Sequence, residues 1–307
     1  MEEIKVFCPA TIANIACGFD VLGLCLDNPG DEMIIKKTSK KGVHITKIEG
    51  QDLPLETEKN VAGVAALALL NEYKPIDFGF EIEIYKKIKP GSGIGSSAAS
   101  AAGVVFGINK LLNNAFNSND LIKFGMQGEQ LASGALHADN VAPALLGGFT
   151  LVRSYSPLDV LKLPTPNQLH ATVIHPQIEV KTADARSVLK HNVPLKKAIV
   201  QWGNVGGLIS GLYTNDYDLI SRSLHDEIVE PLRSVLIPGF AMVKQASINV
   251  GALGSGISGS GPSIFALSKG EETAKLVGKK MSEVYKNFNV DFDVHVSKIK
   301  TTGVHEI

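Results

Sequence analysis

The segment that most restricts the fold is a strand, a glycine-rich loop and a helix in direct succession. Residues 78–85 alternate apolar and polar side chains, which is the pattern of a strand with one buried face. The loop PGSGIGSSAAS occupies residues 90–100, and from Ala98 to Leu112 small and then larger apolar residues favour a helix. A sheet covered by helices is therefore predicted here.

The glycine-rich loop has the chemistry of an anion site. Three glycines remove the Cβ atom at every second position, so that a ligand can approach the backbone N–H groups: Gly91, Gly93 and Gly95. Ser96 and Ser97 add hydroxyl groups where the helix begins and its free amides attract negative charge. A phosphate chain is the usual occupant of such a junction. A plain flexible loop is the alternative, whereas a Walker A loop needs a lysine that is missing between Lys89 and Lys110.

The rest of the chain alternates strands and helices. Strand patterns occupy residues 3–8, 33–37, 43–48, 169–175, 262–268 and 291–300. Helix patterns occupy residues 60–73, 119–134, 183–190, 195–213, 216–226, 240–250 and 271–286, with a cap expected at 119–120 for the second of these. Three prolines between 157 and 166 indicate a seam, and 307 residues suit two domains, predicted at 1–155 and 156–307. The predicted class is α+β, with helices layered on a sheet in each domain.

Charge and composition exclude several classes of partner. Thirty basic and 31 acidic side chains leave a net charge of -1, so no global field draws the chain to nucleic acid or to an anionic membrane. No apolar run reaches the roughly 18 to 20 residues of a membrane helix, and the N-terminus lacks a signal-peptide pattern, so a cytoplasmic location is expected. Cys8, Cys17 and Cys25 lack the spacing of a zinc site and are expected to be reduced packing thiols.

Two further stretches are rich in small residues. Residues 251–261 contain the formal dinucleotide fingerprint GxGxxG, beginning at Gly254, but a strand pattern follows where that fingerprint needs a helix. We expect a loop that packs against the first glycine-rich loop or against the ligand. Residues 8–27 place Asn14 and Asp20 among apolar residues, where they need hydrogen-bond partners from the backbone or from a polar substrate.

Together these three stretches resemble the motifs of the GHMP kinases, the small-molecule kinases for galactose, homoserine, mevalonate and phosphomevalonate. The motifs are PATIANIACGFDVLG, PGSGIGSSAAS and GISGSGPSIFAL, in this order over residues 9–267. Within the family, GFDVLG at 18–23 and HADNVAPALLGGF at 137–149 resemble the homoserine branch. The resemblance implies an N-terminal domain like ribosomal protein S5 domain 2 and a ferredoxin-like C-terminal domain.

The resemblance also implies the activity and its cofactors. A member of the homoserine branch uses ATP and Mg²⁺ to phosphorylate the hydroxyl of L-homoserine, a step of threonine biosynthesis. The implied nucleotide-binding residues are Asn60 beside the adenine and, around the phosphates, Pro90, Gly91, Ser92, Gly93, Ile94, Gly95, Ser96, Ser97 and Ala98. Ser97 and Glu129 resemble the magnesium ligands, and a hydroxyl with one carboxylate and waters suits this ion. A solvated helix face for Glu129 and an ordinary N-cap for Asn60 are the alternatives.

The implied acceptor site depends on arginine, because its fork matches an amino-acid carboxylate best. The chain has four arginines, of which Arg186 in KTADARSVL and Arg233 in EPLRSVLIPGF resemble those of the homoserine branch. The complete set of implied acceptor residues is Asn14, Asp20, His137, Asn140, Arg186, Arg233 and Gly259. Surface charge for the arginines and a structural role for His137 are the alternatives.

The general base of the mevalonate-type members is missing. Those members carry an aspartate about eleven residues after the magnesium glutamate, whereas Asn140 takes that position here, beside Asp139. An amide cannot accept a proton, so we expect Asp20 to orient the alcohol while its proton leaves late, to the γ-phosphate or to solvent. The implied catalytic residues are Asp20, Ser97 and Glu129.

Two other functions and the oligomeric state are left open by the sequence. The chain could be a GHMP kinase for mevalonate or a sugar, or a family member that binds nucleotide without catalysis. A homodimer is compatible with the family.

Overall fold

The computed structural model describes residues 2–74, 77–178, 180, 182–190 and 192–307, and the first half of the chain forms one sheet with helices packed on it. The first six strands in chain order are β1 (Glu3–Ala13), β2 (Leu22–Thr38), β3 (Gly42–Glu49), β4 (Gly79–Tyr85), β5 (Phe149–Tyr155) and β6 (Leu158–Leu163). They run in the order β1, β2, β4, β3, while β5 pairs with both β2 and β6. Strands β3 and β4 pair in parallel, and helix α1 (Val61–Glu72) lies in the connection between them.

Helix α2 (Ser96–Leu111) lies at the centre of the N-terminal core. Thirteen of its sixteen residues are buried, so it has almost no solvent face. Its small residues allow this position, because a Cβ atom added at Gly103 would lie 2.3 Å from the Cys8 sulfur and one at Gly107 would lie 2.3 Å from the Ile35 side chain. Helices α3 (Ser118–Ser133) and α4 (Val141–Leu146) complete the layer.

The second half of the chain has a ferredoxin-like arrangement, as the family resemblance implied. Its elements are β7 (Leu169–Pro176), α5 (Thr182–Ser187), α6 (Leu195–Thr214), α7 (Tyr217–Ser223), α8 (Glu230–Arg233), α9 (Phe240–Asn249), β8 (Ala252–Ile257), β9 (Ile264–Lys269), α10 (Glu271–Tyr285) and β10 (Phe292–Lys298). The four strands pair antiparallel in the order β10, β7, β9, β8, which is the split βαβ pattern. None of the helices in the described part of the chain is both long and apolar enough to cross a membrane.

The two halves are joined by the end of the chain. The last strand, β11 (His305–Glu306), pairs with β1, and Leu26 forms a bridge with Ile299. The Ser297 hydroxyl accepts hydrogen bonds from the backbone N–H groups of Asp27 and Asn28. Strand β6 lies beyond residue 155 and still pairs in the first sheet, and the division into 1–155 and 156–307 stays a prediction.

Several local predictions need correction. Residues 252–257, predicted as part of a loop, form strand β8. Gly254 leaves room for the residue that follows α7, because a Cβ atom at this position would lie 2.4 Å from the Leu224 side chain. Helix α3 is capped by Asn117 and not at 119–120. Strand β2, predicted over residues 33–37, begins at Leu22. It continues through residues 26–29, which lie at an irregularity of the pairing with β1. The short elements α4, α8 and β11 were not predicted, because so few residues show no hydrophobic periodicity.

Candidate active site

A cleft of about 570 Å³ opens beside the N-terminal end of α2 and is lined by both halves of the chain. Fifteen of the eighteen residues that the family resemblance implied line this cleft. The other three, Ser92, Ile94 and Ala98, are buried, and the Ile94 carbonyl accepts a hydrogen bond from the Thr11 N–H. Of the implied nucleotide-binding residues, these three are therefore set behind the cleft wall.

The first glycine-rich loop requires its glycines. Gly91, Gly93 and Gly95 all have φ between +71° and +81°, a conformation that other residues rarely adopt. A Cβ atom at Gly95 would also lie 2.0 Å from the Thr11 hydroxyl oxygen. Helix α2 begins directly after Gly95, and its first intrahelical hydrogen bond is donated by Ala99, so the amides before it are free to bind an anion.

The second glycine-rich turn packs against the first loop, as predicted. The Ser258 hydroxyl donates a hydrogen bond to the Gly93 carbonyl at 2.7 Å. A Cβ atom at Gly93 would lie 2.7 Å from the Gly261 carbonyl oxygen, so the two backbones are in direct contact. The formal dinucleotide fingerprint is part of a strand and this turn, and no helix follows it directly.

A buried lysine directly after β4, which the sequence did not single out, connects β2 to α2. Lys86 forms an ion pair with Asp31, and both side chains are 1% exposed. Lys86 Nζ also donates to the Ser96 carbonyl at 2.9 Å and the Ser100 hydroxyl at 3.1 Å. Asp31 in turn accepts from the backbone N–H groups of Lys87 and Ile88, where the chain leaves β4. In the sequence, Lys86 is one of three nearby lysines and looks like surface charge.

Glu129 faces the cleft from α3 and is not on a solvated helix face. It is 6% exposed, and among the described residues its Oε1 has no hydrogen-bond partner. Burial raises the pKa of Glu129 to about 7, against the opposing effects of the Ser97 hydroxyl and the Lys86 ammonium. An unpartnered buried carboxylate oxygen beside a hydroxyl, opening into a cleft, is a fitting environment for a hard cation.

Asn60 is an N-cap and also lines the cleft. Its side-chain oxygen accepts from the Ala62 N–H at 3.0 Å, and its side-chain amide donates to the Pro54 carbonyl at 2.8 Å. The N-cap interpretation is therefore confirmed, while the predicted place beside the adenine stays a prediction. Leu53 and Val61 add apolar surface next to it.

A strained turn after β1 presents Asp20 to the other end of the cleft. Asn14, Ile15, Ala16 and Asp20 all have positive φ, between +42° and +72°. The Asn14 side chain holds the turn, because its oxygen accepts from the Asp20 N–H at 3.0 Å and its amide donates to the Gly259 carbonyl at 2.8 Å. Non-glycine residues with positive φ cost energy and concentrate at functional sites.

Asp20, Arg186 and His137 form a connected group. Arg186 Nη2 lies 3.1 Å from Asp20 Oδ1 and donates to His137 Nε2 at 2.9 Å. Because arginine can only donate, His137 accepts through Nε2 and carries its proton on Nδ1, which lies 3.8 Å from Asp20 Oδ1. Burial lowers the pKa of His137, which favours this neutral form.

Arg233 is a second cation in the same place. It is 3% exposed, and its guanidinium donates to the carbonyls of Ala185 and Gly259. Among the described residues, a carboxylate pairs with Arg186 but none forms an ion pair with Arg233. Arg186 and Arg233 both lie over the Phe19 ring, at 5.7 and 5.0 Å from its centroid, and Phe19 was not predicted. Burial, and next the charge of Arg186, lowers the pKa of Arg233.

Asp139 and Asn140 line the cleft between the glycine-rich loop and the two arginines. Asn140 accepts a hydrogen bond from the Thr11 hydroxyl at 2.7 Å. Asp139 lines the cleft at 5% exposure, and burial, assisted by the charges of Asp20 and Glu129, raises its pKa to about 7. The sequence placed Asp139 only as the neighbour of Asn140, because its burial depends on residues distant in the chain.

The chain matches two families of known domains. Residues 60–148 match the GHMP kinases N terminal domain, and residues 208–287 match the GHMP kinases C terminal domain. It is similar to a homoserine kinase of Chlorobium phaeobacteroides, 47% identical with 99% of each chain covered. A homoserine kinase of Methanococcus vannielii is 43% identical, with 88% of this chain and 89% of the relative covered. A crystal structure of homoserine kinase from Cytophaga hutchinsonii is 54% identical, covers 100% of this chain and 98% of its own, and superimposes with a TM-score of 0.96. The chain therefore belongs to the GHMP kinases.

Proposed function

We propose that this chain transfers the γ-phosphate of ATP to the hydroxyl of L-homoserine, giving O-phospho-L-homoserine. The observation that carries the proposal is the cleft, which has an anion-binding helix terminus at one end and two arginines beside a carboxylate at the other. Phosphoryl transfer needs charge neutralisation and a positioned hydroxyl more than covalent help from the protein. The full-length similarity to homoserine kinases supports the same acceptor.

The phosphate end is formed by α2 and the loop before it. The free amides at the start of α2 would bind the phosphate oxygens, and the Lys86 and Asp31 pair would keep the loop in place. Asn60, Leu53 and Val61 lie where the nucleoside would extend.

Magnesium fits the residues at this end. Ser97 and Glu129 would hold it, since Glu129 Oε1 is buried without a partner among the described residues. No group of three or more His, Cys, Asp or Glu side chains in the described part of the chain could hold a metal alone, so phosphate oxygens and water would complete the shell. When bound, the ion neutralises charge on the phosphates.

The acceptor end matches an amino acid. Arg233 and Arg186 would bind the carboxylate, and Asp20 would accept a hydrogen bond from the hydroxyl or the ammonium group. Asp20 is held by Asn14 and Arg186 and is therefore fixed in orientation. We keep the proposal that Asp20 orients the alcohol and that the proton leaves late, because Asn140 cannot act as a base.

The direct test is mass detection of phosphohomoserine after incubation with ATP, magnesium and homoserine. We expect this product and a fall of kcat by at least about 100-fold in Asp20→Asn, because misplacing a reacting group can slow a reaction by about this factor. Release of ADP with mevalonate or a sugar but not with homoserine would indicate another member of the family. Binding of ATP without turnover of any alcohol would indicate a non-catalytic member. The cytoplasmic location remains a prediction from the sequence.

A further inference from the structure

The turn of residues 14–20, which carries Asp20, is held from outside by two side chains. Its backbone is strained, since Asn14, Ile15, Ala16 and Asp20 all have positive φ. Such a conformation persists only where surrounding groups over-determine it. The Asn14 side chain holds the Asp20 N–H within the turn, and the two outer holds come from β5 and α6.

The first of these side chains is Tyr155, the last residue of β5. Its hydroxyl donates to the Asp20 carbonyl at 2.7 Å, and the same oxygen accepts a hydrogen bond from the Ala138 N–H at 3.4 Å. Ala138 lies between His137 and Asp139, which line the cleft. Burial raises the pKa of Tyr155 above its ordinary value, so the hydroxyl keeps its proton and remains a donor. One hydroxyl therefore ties the backbone of Asp20 to the segment that carries His137.

The second side chain is Gln201, which is buried on α6. Its amide nitrogen donates to the Cys17 carbonyl at 2.7 Å and to Asp226 Oδ1 at 3.0 Å. Its oxygen accepts a hydrogen bond from the Glu227 N–H at 2.9 Å. Cys17 lies in the strained turn, three residues before Asp20. Both amide hydrogens of Gln201 are therefore used to hold the turn against the chain that precedes α8.

Asp226 extends this hold to α8, the helix that carries Arg233. Its carboxylate accepts hydrogen bonds from the backbone N–H groups of residues 228–230, at 2.8, 3.0 and 2.9 Å. The Val229 carbonyl accepts in turn from the Arg233 N–H at 3.0 Å. The buried pair of Gln201 and Asp226 therefore joins the strained turn to the short helix of Arg233.

We propose that Tyr155 and Gln201 are positioning residues for the acceptor end of the cleft. Tyr155 fixes the direction of the Asp20 carboxylate, and Gln201 fixes the distance between Asp20 and Arg233. Neither of the two side chains lines the cleft, so both act through other residues. This inference rests on the proposed function, in which Asp20 and Arg233 hold different groups of one small amino acid. A misplacement of about 1 Å between such groups can slow a reaction about 100-fold.

The first experiment measures kcat and KM of two variants with the alcohol that the unaltered protein phosphorylates. Tyr155→Phe removes only the hydroxyl and should lower kcat about 10- to 100-fold, with the KM for the alcohol changed less than about threefold. Gln201→Met keeps the length of the side chain and removes its hydrogen bonds. It should lower kcat similarly and also raise the KM for the alcohol about fivefold or more, because Arg233 shifts as well. The KM for ATP should change less than about twofold in both variants.

Two matched controls remove the same groups elsewhere. Tyr85→Phe removes a hydroxyl that donates to Glu83 at 2.7 Å, and Asn204→Leu removes an amide on α6 that donates to the His225 carbonyl at 3.0 Å. Neither hydrogen bond involves the strained turn. Asn204 holds the same connection between α7 and α8 as Gln201 does, so its variant separates that hold from the hold on the turn. Both controls should keep kcat and both KM values within about twofold.

Hydrogen exchange provides a readout that does not depend on turnover. The N–H groups of Asp20, Val21 and Leu22 are hydrogen-bonded within the turn. In Tyr155→Phe without ligands, mass spectrometry should show faster exchange of the peptide that contains these residues, and Tyr85→Phe should show no change. Gln201→Glu has the same shape as the natural side chain and replaces Gln201→Met if that variant does not fold.

Several outcomes would overturn the positioning roles. Tyr155→Phe with kcat within about twofold of the unaltered protein, or equal rises of the KM for ATP and for the alcohol in Gln201→Met, would contradict them. The same loss in Asn204→Leu would assign the effect to the connection before α8. Phosphorylation of another alcohol in place of homoserine would refute the proposed acceptor and leave these comparisons valid. If no alcohol is phosphorylated, unchanged exchange of the turn in Tyr155→Phe refutes the hold, and faster exchange supports it.

Discussion

Glu129→Gln should make the protein without ligands more stable at alkaline pH while it abolishes kinase activity. The carboxylate is 6% exposed, and burial raises its pKa from the ordinary value of 4.5 to about 7. A raised pKa means that the folded chain holds this proton more tightly than the unfolded chain does. Stability from this group is therefore present below pH 4.5 and is lost as the pH rises to about 7. One pKa unit corresponds to about 1.4 kcal/mol, so the difference between 4.5 and about 7 corresponds to about 3 kcal/mol of stability.

The assay is urea denaturation followed by circular dichroism, at pH 8 and pH 5, without nucleotide or divalent cations. At pH 8 we expect Glu129→Gln to raise the free energy of unfolding by up to about 3 kcal/mol, because the amide does not need to ionise in a buried site. At pH 5 the gain should fall below about 1 kcal/mol, since Glu129 is then protonated in the folded protein. Phosphorylation of the acceptor should be lost at both pH values, because the proposed cation site lacks its charge.

An exposed glutamate provides the control. Glu283 on α10 pairs with Lys280, whose hydrogen bond lowers its pKa. Glu283→Gln should therefore slightly reduce stability, with no loss of activity. If Glu129→Gln gives no gain at pH 8, or the same gain at pH 5 and pH 8, the argument from burial of the charge is wrong.

Three further substitutions test the loop, its support and the acceptor end. Gly91→Ala should lower the free energy of unfolding by about 1 kcal/mol through its positive φ alone. Gly93→Ala should lower it at least twice as much, because its Cβ atom would also lie 2.7 Å from the backbone of the second turn. Equal losses for the two variants in urea denaturation would contradict this reasoning. Lys86→Met should lower the free energy of unfolding by about 3–5 kcal/mol, because it leaves Asp31 buried without its cation. Adding Asp31→Asn to Lys86→Met should recover part of this stability. No recovery would mean that the loss does not come from the broken ion pair. Arg233→Lys should raise the KM for homoserine about tenfold or more, with the KM for ATP changed less than about twofold; equal changes would remove Arg233 from the acceptor site.

Local sequence patterns were sufficient to predict most of the helices and strands. Helix α1 with its Asn60 cap, strand β4 and helix α2 all lie within two residues of their predicted bounds, because periodicity and capping act over a single turn or strand. Strand β8 was predicted as a loop because glycine is normally rare in strands. Gly254 is required there, because the Leu224 side chain, directly after α7 and 30 residues earlier in the sequence, packs against it.

Some residues of the cleft could likewise be recognised from the sequence, and others only from the structure. Gly91, Gly93 and Gly95 could be recognised from their spacing, since the conformation that they permit is a property of glycine itself. Lys86 could not be distinguished from its neighbouring lysines until its contact with Asp31, 55 residues away, was known. Phe19 lies under the two guanidinium groups only because α5 and α8 fold back onto the turn after β1.

The amino-acid sequence alone therefore determined the family, most of the regular elements and the chemical character of the phosphate loop, because these depend on residue types at short spacing. Only the tertiary structure decided that Glu129 is buried and that Arg186 pairs with Asp20 while Arg233 is left without a carboxylate among the described residues. Burial and ion pairing are set by which distant segments meet, and no local pattern in the chain encodes that.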